Sequence, residues 1–258
     1  MFAGGVSGGA LGGVTPGGPV SHGDLERRER EFRRRLAIEV ECCRRNPVYW
    51  LERYAWTSDE HERVEPKKKL IHAEPWIDPA TLQPGRELDG SVDDYLLYLA
   101  AMWWNEDLLA VPKSRQLRVT HLMVNLHGWL AMMYEGQRVA FQSKKFEDAD
   151  ETLQRLDKSF SIMREKNPYH NWPVHRYKKG RILFPNGSII MAVAQGPRVV
   201  RQYTFSAIFS DETAFQDEAD DAFTAAIPTI EGGGKYTAVS SAEPGFFEQL
   251  VKDQMALD

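Results

Sequence analysis

Residues 111–120 read VPKSRQLRVT. They follow a short apolar run, residues 107–111 (DLLAV), with the character of a buried strand. They precede HLMVNLHGWLAMM, in which Leu122, Met123, Leu126, Trp129, Leu130 and Met133 recur at helical spacing. Strand, short loop and helix in this order make a phosphate site, because a helix begins with unpaired N–H groups and the positive end of its dipole. Phosphate loops normally close on Gly-Lys-Ser/Thr, with the lysine on the phosphates and the hydroxyl on magnesium. Thr120 fits that ending, but Arg118 and Val119 stand where glycine and lysine belong. The stretch is therefore either a nucleotide site whose lysine has moved or an ordinary strand-to-helix turn.

The surrounding chain narrows the choice. A length of 258 residues, 42% hydrophobic and 27% charged, suits one sizeable globular domain that needs no staples. A formal charge of -5 gives no global sign of nucleic-acid binding, although a basic stripe can be local to one face. The two cysteines, Cys42 and Cys43, are adjacent and have no second pair, which argues against a disulfide or zinc framework and suits a reducing cytoplasm. The seven histidines lack metal-ligand spacing. The start, MFAGGVSGGALGG, has no basic region followed by an apolar one, and no run of eighteen apolar residues occurs, so neither export nor membrane spanning is expected.

Residues 1–22 are Gly-rich with few large apolar groups and are expected to form a disordered tail. Residues 23–90 read as a helical and irregular extension that opens on the charged helix DLERREREFRRRLAIEVECCRR. From residue 91 to 258 strands and helices alternate. Helices are expected at 92–104, 120–134, 148–165, 217–227 and 246–254, and strands at 108–111, 138–143, 204–210 and 235–241. RILFPNGSIIMAV is read as a hairpin about its Pro-Asn-Gly centre. This alternation implies an α/β fold with a mainly parallel sheet flanked by helices, whose ligands bind at the carboxyl ends of the strands.

Two further strand ends carry reactive groups. FSAIFSDETAF places Asp211 and Glu212 at a strand exit, where one carboxylate can hold hydrated magnesium and the other orient or deprotonate water. A helix N-cap is the bland alternative for such a pair. TAVSSAEPG ends a strand in Ser240 and Ser241, near the γ-phosphate if the strands are neighbours, or else a serine-rich turn before Pro244.

Taken together, from about Asn46 to the chain end, these stretches resemble the ATPase domain of the viral large terminases, the motors that package double-stranded DNA into procapsids. KSRQLRVT matches a family variant of the phosphate loop through Lys113, Ser114, Arg115, Gln116 and Thr120. VAFQSKKFEDADE, ILFPNGSII, IFSDETAF and AVSSAEPG resemble family landmarks in the expected order. The resemblance implies a P-loop NTPase fold of the RecA/ASCE type, ATP and magnesium as cofactors, and Asp211 and Thr120 on the metal. It also implies Glu212 on the water and Ser240 and Ser241 by the γ-phosphate. Arg201, with Arg198 as its rival, is implied as a finger reaching a neighbouring subunit. Double-stranded DNA, a portal protein, a small terminase subunit and a homo-oligomeric ring on the procapsid are the implied partners. The implied place of action is the host cytoplasm, not the mature virion. Terminases of this kind carry a nuclease domain after the ATPase, which the sequence does not reach, so a piece of a longer protein is expected.

The moved lysine has a physical rationale. Lysine carries a compact charge on a flexible stem, so Lys113, rooted at the first loop residue, can curl over phosphates cradled by backbone N–H groups. Arg115 suits either phosphate oxygens or a carboxylate within the loop. Gln116 orients the loop or a water, or is purely structural. Arg118 reads as a solvent-facing side chain. Trp50, Trp103, Trp104 and Tyr49 are possible adenine platforms, with core packing as their alternative. The basic runs at 67–69 (KKK) and 175–181 (HRYKKGR) are read as phosphate-backbone contacts or exposed loop charges. Competing functions are a helicase-like ATPase, which needs a second motor lobe, and an inactive nucleotide-binding assembly module.

Overall fold

The computed structural model describes residues 22–58, 67–70, 77–78, 83–84, 94–115 and 117–255. Gln116 and the tail expected up to residue 21 lie outside these. The elements run α1 His22–Arg45, α2 Pro47–Tyr54, β1 Trp56–Ser58, β2 Lys67–Lys69, β3 Ile77–Asp78, β4 Gln83–Pro84, α3 Asp94–Asn105, β5 Leu108–Pro112, α4 Val119–Met133, β6 Arg138–Ser143 and α5 Phe146–Lys166. They continue β7 Arg176–Lys178, β8 Arg181–Leu183, β9 Ile189–Ala194, α6 Pro197–Gln202, β10 Ala207–Asp211, α7 Ala219–Glu231, β11 Lys235–Ser240 and α8 Phe246–Met255. Met1–Glu39 and Val40–Asp258 are separate compact units.

In the first unit the helix is polar almost all round. Arg27, Arg33 and Arg35 bond Asp24, Glu29 and Glu31 at one-turn spacing, while Leu25, Phe32 and Ile38 stay exposed.

The second unit is built on a sheet ordered β5-β11-β10-β6-β9-β8-β7. The first five strands are mutually parallel, β8 pairs antiparallel with β9, and β7 pairs antiparallel with β8. This is the mainly parallel, helix-flanked α/β sheet that the alternation implies. Side chains alternate between two layers, as strand geometry requires. Val111, Val139, Phe141, Phe209 and Val239 pack with residues of α3, α4 and α5. Ala140, Ile208, Tyr236 and Ala238 pack with residues of α6, α7 and α8. Both faces of the central strands are therefore covered, which explains their near-continuous apolar sequences.

Local chemistry fixes the elements around the site. Asn46 caps α2 by accepting from the Val48 and Tyr49 N–H groups at 3.0 and 3.1 Å. Asn186, at the centre of the Pro-Asn-Gly turn, donates to the Ala131, Met132 and Tyr134 carbonyls at the end of α4, tying the β8–β9 hairpin to the helix that starts at the phosphate loop. At Gly128 an added Cβ would lie 2.5 Å from a Leu156 methyl, so α4 and α5 approach as closely as glycine allows. Trp50 and Trp103 are fully buried, so neither is available to an adenine ring, whereas Trp104 is 38% exposed.

His127 sits in the middle of α4, fully buried, stacked on Phe209 and edge-on to Trp103. Its Nδ1–H donates to the Met123 carbonyl at 2.8 Å, while Nε2 is buried without a partner among the described residues. Burial pushes its pKa down to about 4. The unfolded chain therefore binds a proton at a higher pH than the folded one. The stability is present in full above about pH 6.5 and is lost as pH falls towards 4, by about 3 kcal/mol. His127→Gln, which cannot titrate, should flatten that part of the urea-midpoint profile. Identical slopes in both proteins would exclude His127 as the source.

Candidate functional site

Three adjacent strands, β5, β11 and β10, end side by side, and their register decides what meets. Val111 pairs with Val239 and Val239 with Asp211, while Pro112 pairs with Ser240. The residues just beyond those pairs, Lys113, Ser241 and Glu212, thus leave the sheet at one edge. The Lys113 N–H donates to the Ser240 carbonyl at 2.9 Å, fixing where the loop departs. The Ser240 hydroxyl accepts from the Ala214 N–H at 3.1 Å, so this buried serine braces both the loop and the turn after β10.

Lys113 points across this edge. Its Nζ donates to Glu212 Oε1 at 3.0 Å, with the lysine side chain 9% and the glutamate 42% exposed. Thr120, in the first turn of α4, donates its hydroxyl to Asp211 Oδ1 at 3.2 Å. That oxygen also accepts the Glu212 N–H at 3.1 Å. Burial pushes the Asp211 carboxyl up to about 6, Lys113 opposes the shift and Glu212 adds to it. A bound cation beside a carboxyl raised in this way would favour its charged form.

Glu212 has φ 51° and ψ 43°, a left-handed conformation rare for a side-chain-bearing residue. Strain of this kind persists only where neighbours enforce it. Thr213 donates to the Ser210 carbonyl at 2.9 Å, and Gln216 donates to the Ser210 hydroxyl and the Asp211 carbonyl, both at 2.9 Å. These buried groups clamp the turn that aims Glu212 at Lys113. Sequence reasoning passed over both, and the only signal was a glutamine four residues beyond the Asp-Glu pair.

The loop itself answers the missing-glycine problem. Arg118 occupies the left-handed conformation, φ 55° and ψ 10°, at the start of α4. Its guanidinium donates to the Leu70 carbonyl at 2.8 Å. The expectation of a solvent-facing Arg118 is corrected: the side chain is tethered. A charge-assisted bond of about 1.5–3 kcal/mol offsets the roughly 1–2 kcal/mol of the conformation. Tyr95 adds a second tether by donating its hydroxyl to the Leu117 carbonyl.

Of the other sequence-selected residues, Ser114 and Arg115 are exposed on the loop, Ser241 is half-buried beside Ser240, and Gln116 lies outside the described residues. Arg198 and Arg201 are exposed on α6, and neither has an ion pair among the described residues. Helix α6 is preceded by its N-cap Gly196, whose φ of 101° and 2.6 Å clearance from Glu218 Oε2 exclude a side chain there. The structure thus brings Lys113, Thr120, Asp211, Glu212 and Ser240 together and leaves both arginines apart from them.

No protein-family model and no curated protein matches the sequence. Among solved structures, the HK97 bacteriophage large terminase aligns with 83% of this chain at a TM-score of 0.53 and 16% identity. This chain spans 41% of that protein's length. A Thermus phage large terminase ATPase domain aligns with 56% of the chain and 64% of its own, with a TM-score of 0.45 and 14% identity. The large terminase of a thermophilic bacteriophage, solved with ADP, aligns with 57% of the chain and 38% of its own, at 0.43 and 12%. The protein has the fold of the HK97 large terminase over most of its length.

Proposed function

We propose that this protein is the ATPase domain of a viral large terminase, hydrolysing ATP to drive double-stranded DNA into a procapsid. The observation that carries the reading is the meeting of Lys113, Thr120, Asp211 and Glu212 at the ends of β5 and β10, with Lys113 and Glu212 3.0 Å apart. The shared fold with the HK97 protein supports it.

The donor set fits a magnesium ion. Thr120 Oγ1 and Asp211 Oδ1 are hard oxygen donors 3.2 Å apart. Two such groups suffice, since magnesium keeps several waters and shares phosphate oxygens. Thr120 and Asp211 would hold it, and the bound ion would neutralise charge on the β- and γ-phosphates.

Lys113 binds the phosphates, helped by N–H groups of the loop and the first turn of α4. To do so it gives up or shares Glu212. The released carboxylate then accepts a proton from the attacking water while the clamp from Gln216 and Thr213 holds its direction. Ser240 links the two halves, bonded to the loop through its carbonyl and to the turn through its hydroxyl, so a shift in either is felt by the other.

A portal protein, a small terminase subunit, a ring of like subunits and the host cytoplasm belong to the same proposal. Among the described residues no helix is long and apolar enough to cross a membrane. Glu212→Gln is expected to keep nucleotide affinity and to lose hydrolysis by about 10²- to 10⁴-fold. Fluorescent-nucleotide titration and phosphate release measure the two separately. Undiminished hydrolysis in Glu212→Gln would remove the catalytic assignment.

A further inference from the structure

The sheet has a cationic flank on the edge away from the nucleotide site. Arg138 and Ile189 are the first residues of β6 and β9, so this flank lies at the amino ends of the central strands. Cross-strand pairs share a face, and the pairs Arg176↔Leu183, Lys178↔Arg181, Arg181↔Met191, Leu183↔Ile189 and Ile189↔Arg138 put these side chains on one face. On the opposite face Tyr177 donates to Asp150 of α5 at 2.9 Å and Ile182 is fully buried, which fixes the register. The cationic face belongs to the layer that α6, α7 and α8 cover over the central strands, but beyond α6 it opens into a cleft of about 310 Å³. The lining includes Arg138, Arg181, Leu183, Ile189, Met191 and Tyr203 and contains no carboxylate.

Arg138, Arg176, Lys178 and Arg181 are all exposed and have no ion pair among the described residues. In a chain of net charge -5, four unpaired cations on one face are a concentration that burial does not explain. Neighbouring strands lie ~4.8 Å apart, so β7 to β6 spans roughly 14 Å, with cations ~6.7 Å apart along β7. This is an area, not a line. An acidic peptide added to the free edge of β7 would meet only that strand's charges. Duplex DNA carries one charge per ~1.7 Å of axis, so a face about 14 Å across meets several phosphates at once. Arginine forks suit phosphate oxygens, and Leu183, Ile189 and Met191, which share the face with them, carry no base-reading donors on their side chains.

We propose that this face, formed by Arg138, Arg176, Lys178 and Arg181, binds the phosphate backbone of double-stranded DNA without reading its sequence. The choice of duplex DNA rests on the packaging reading; the cationic face does not. Of the two readings open to the HRYKKGR run, phosphate-backbone contact and exposed loop charge, this proposal takes the first. Its basic residues alternate outward from a strand whose inward tyrosine is bonded to α5.

Binding of the 258-residue chain to a 40-base-pair duplex should be measured by fluorescence anisotropy across a salt series, beside a variant carrying Arg138→Gln, Lys178→Gln and Arg181→Gln. The variant should bind at least tenfold more weakly, for every duplex sequence, and its slope of log K against log salt should fall by about 2.7. Its unfolding midpoint and nucleotide affinity should match the parent. A control with the same charge loss at Arg28, Arg34 and Lys166 should keep most of the slope. Equal losses in variant and control, or an unchanged slope in the variant, overturn the site. So does binding of poly-glutamate in place of the duplex, which would assign the face to an acidic protein partner. Absence of ATP hydrolysis in the parent chain, across a concentration series and with duplex binding intact, overturns the ATPase reading and leaves this face standing.

Discussion

Lys113→Ala is expected to lower ATP turnover by about 10²- to 10³-fold, the range seen when one preorganised donor to a developing charge is removed. Lys113 follows the last residue of β5, and its backbone bond to the Ser240 carbonyl survives the substitution, so the loop still leaves the sheet at the same point. What disappears is the side chain that, among the described residues, bridges the loop and the β10 turn, at 3.0 Å from Glu212. Glu212 is 42% exposed and stays hydrated without its partner, so the stability change should remain within about 1 kcal/mol. Lys113 also opposes the upward shift of Asp211, so its loss leaves that carboxyl more easily protonated. Lys113→Arg should not rescue, because a planar fork on a shorter stem cannot replace a flexible point charge. Turnover near the parent rate in Lys113→Ala, with a matched unfolding midpoint, would refute the moved-lysine account.

The site was legible where strand ends carry the chemistry. VPK, FSDE and VSS each close an apolar run, and periodicity alone places Lys113, Asp211 and Ser240 at exits from a sheet. Spacing says nothing of strand order. Only the non-local pairing of β11 between β5 and β10 turns three separate exits into one edge, and it puts Ser240 at the centre as a brace. Arg118 was misread for a related reason. Its partner is the Leu70 carbonyl, 48 residues away, and no local pattern announces such a tether. The helix α6 has six residues beginning at a proline, too few for an apolar stripe. The strand β7 has three, two of them basic, and resembles a loop until Tyr177 is seen bonded to Asp150.

Exposure of Arg201 sets up the second large effect. Lys113 and Thr120 engage Glu212 and Asp211 within the chain, whereas Arg201 lies in the last turn of a short helix with no ion pair among the described residues. An arginine that completes a neighbour's site stabilises charge that develops only in the transition state, so Arg201→Ala should cost about 10³- to 10⁵-fold in turnover with little change in nucleotide affinity. Activity per chain should also rise with protein concentration. Mixing Arg201→Ala with Glu212→Gln separates the possibilities. Each is inactive alone, but in a mixed assembly an intact Glu212 from the first faces an intact Arg201 from the second, and part of the turnover returns. An arginine acting within its own chain gives no such return, because neither chain then contains both groups. Failure of rescue in assemblies shown by mass to contain both chains would sink the action of Arg201 across a subunit boundary.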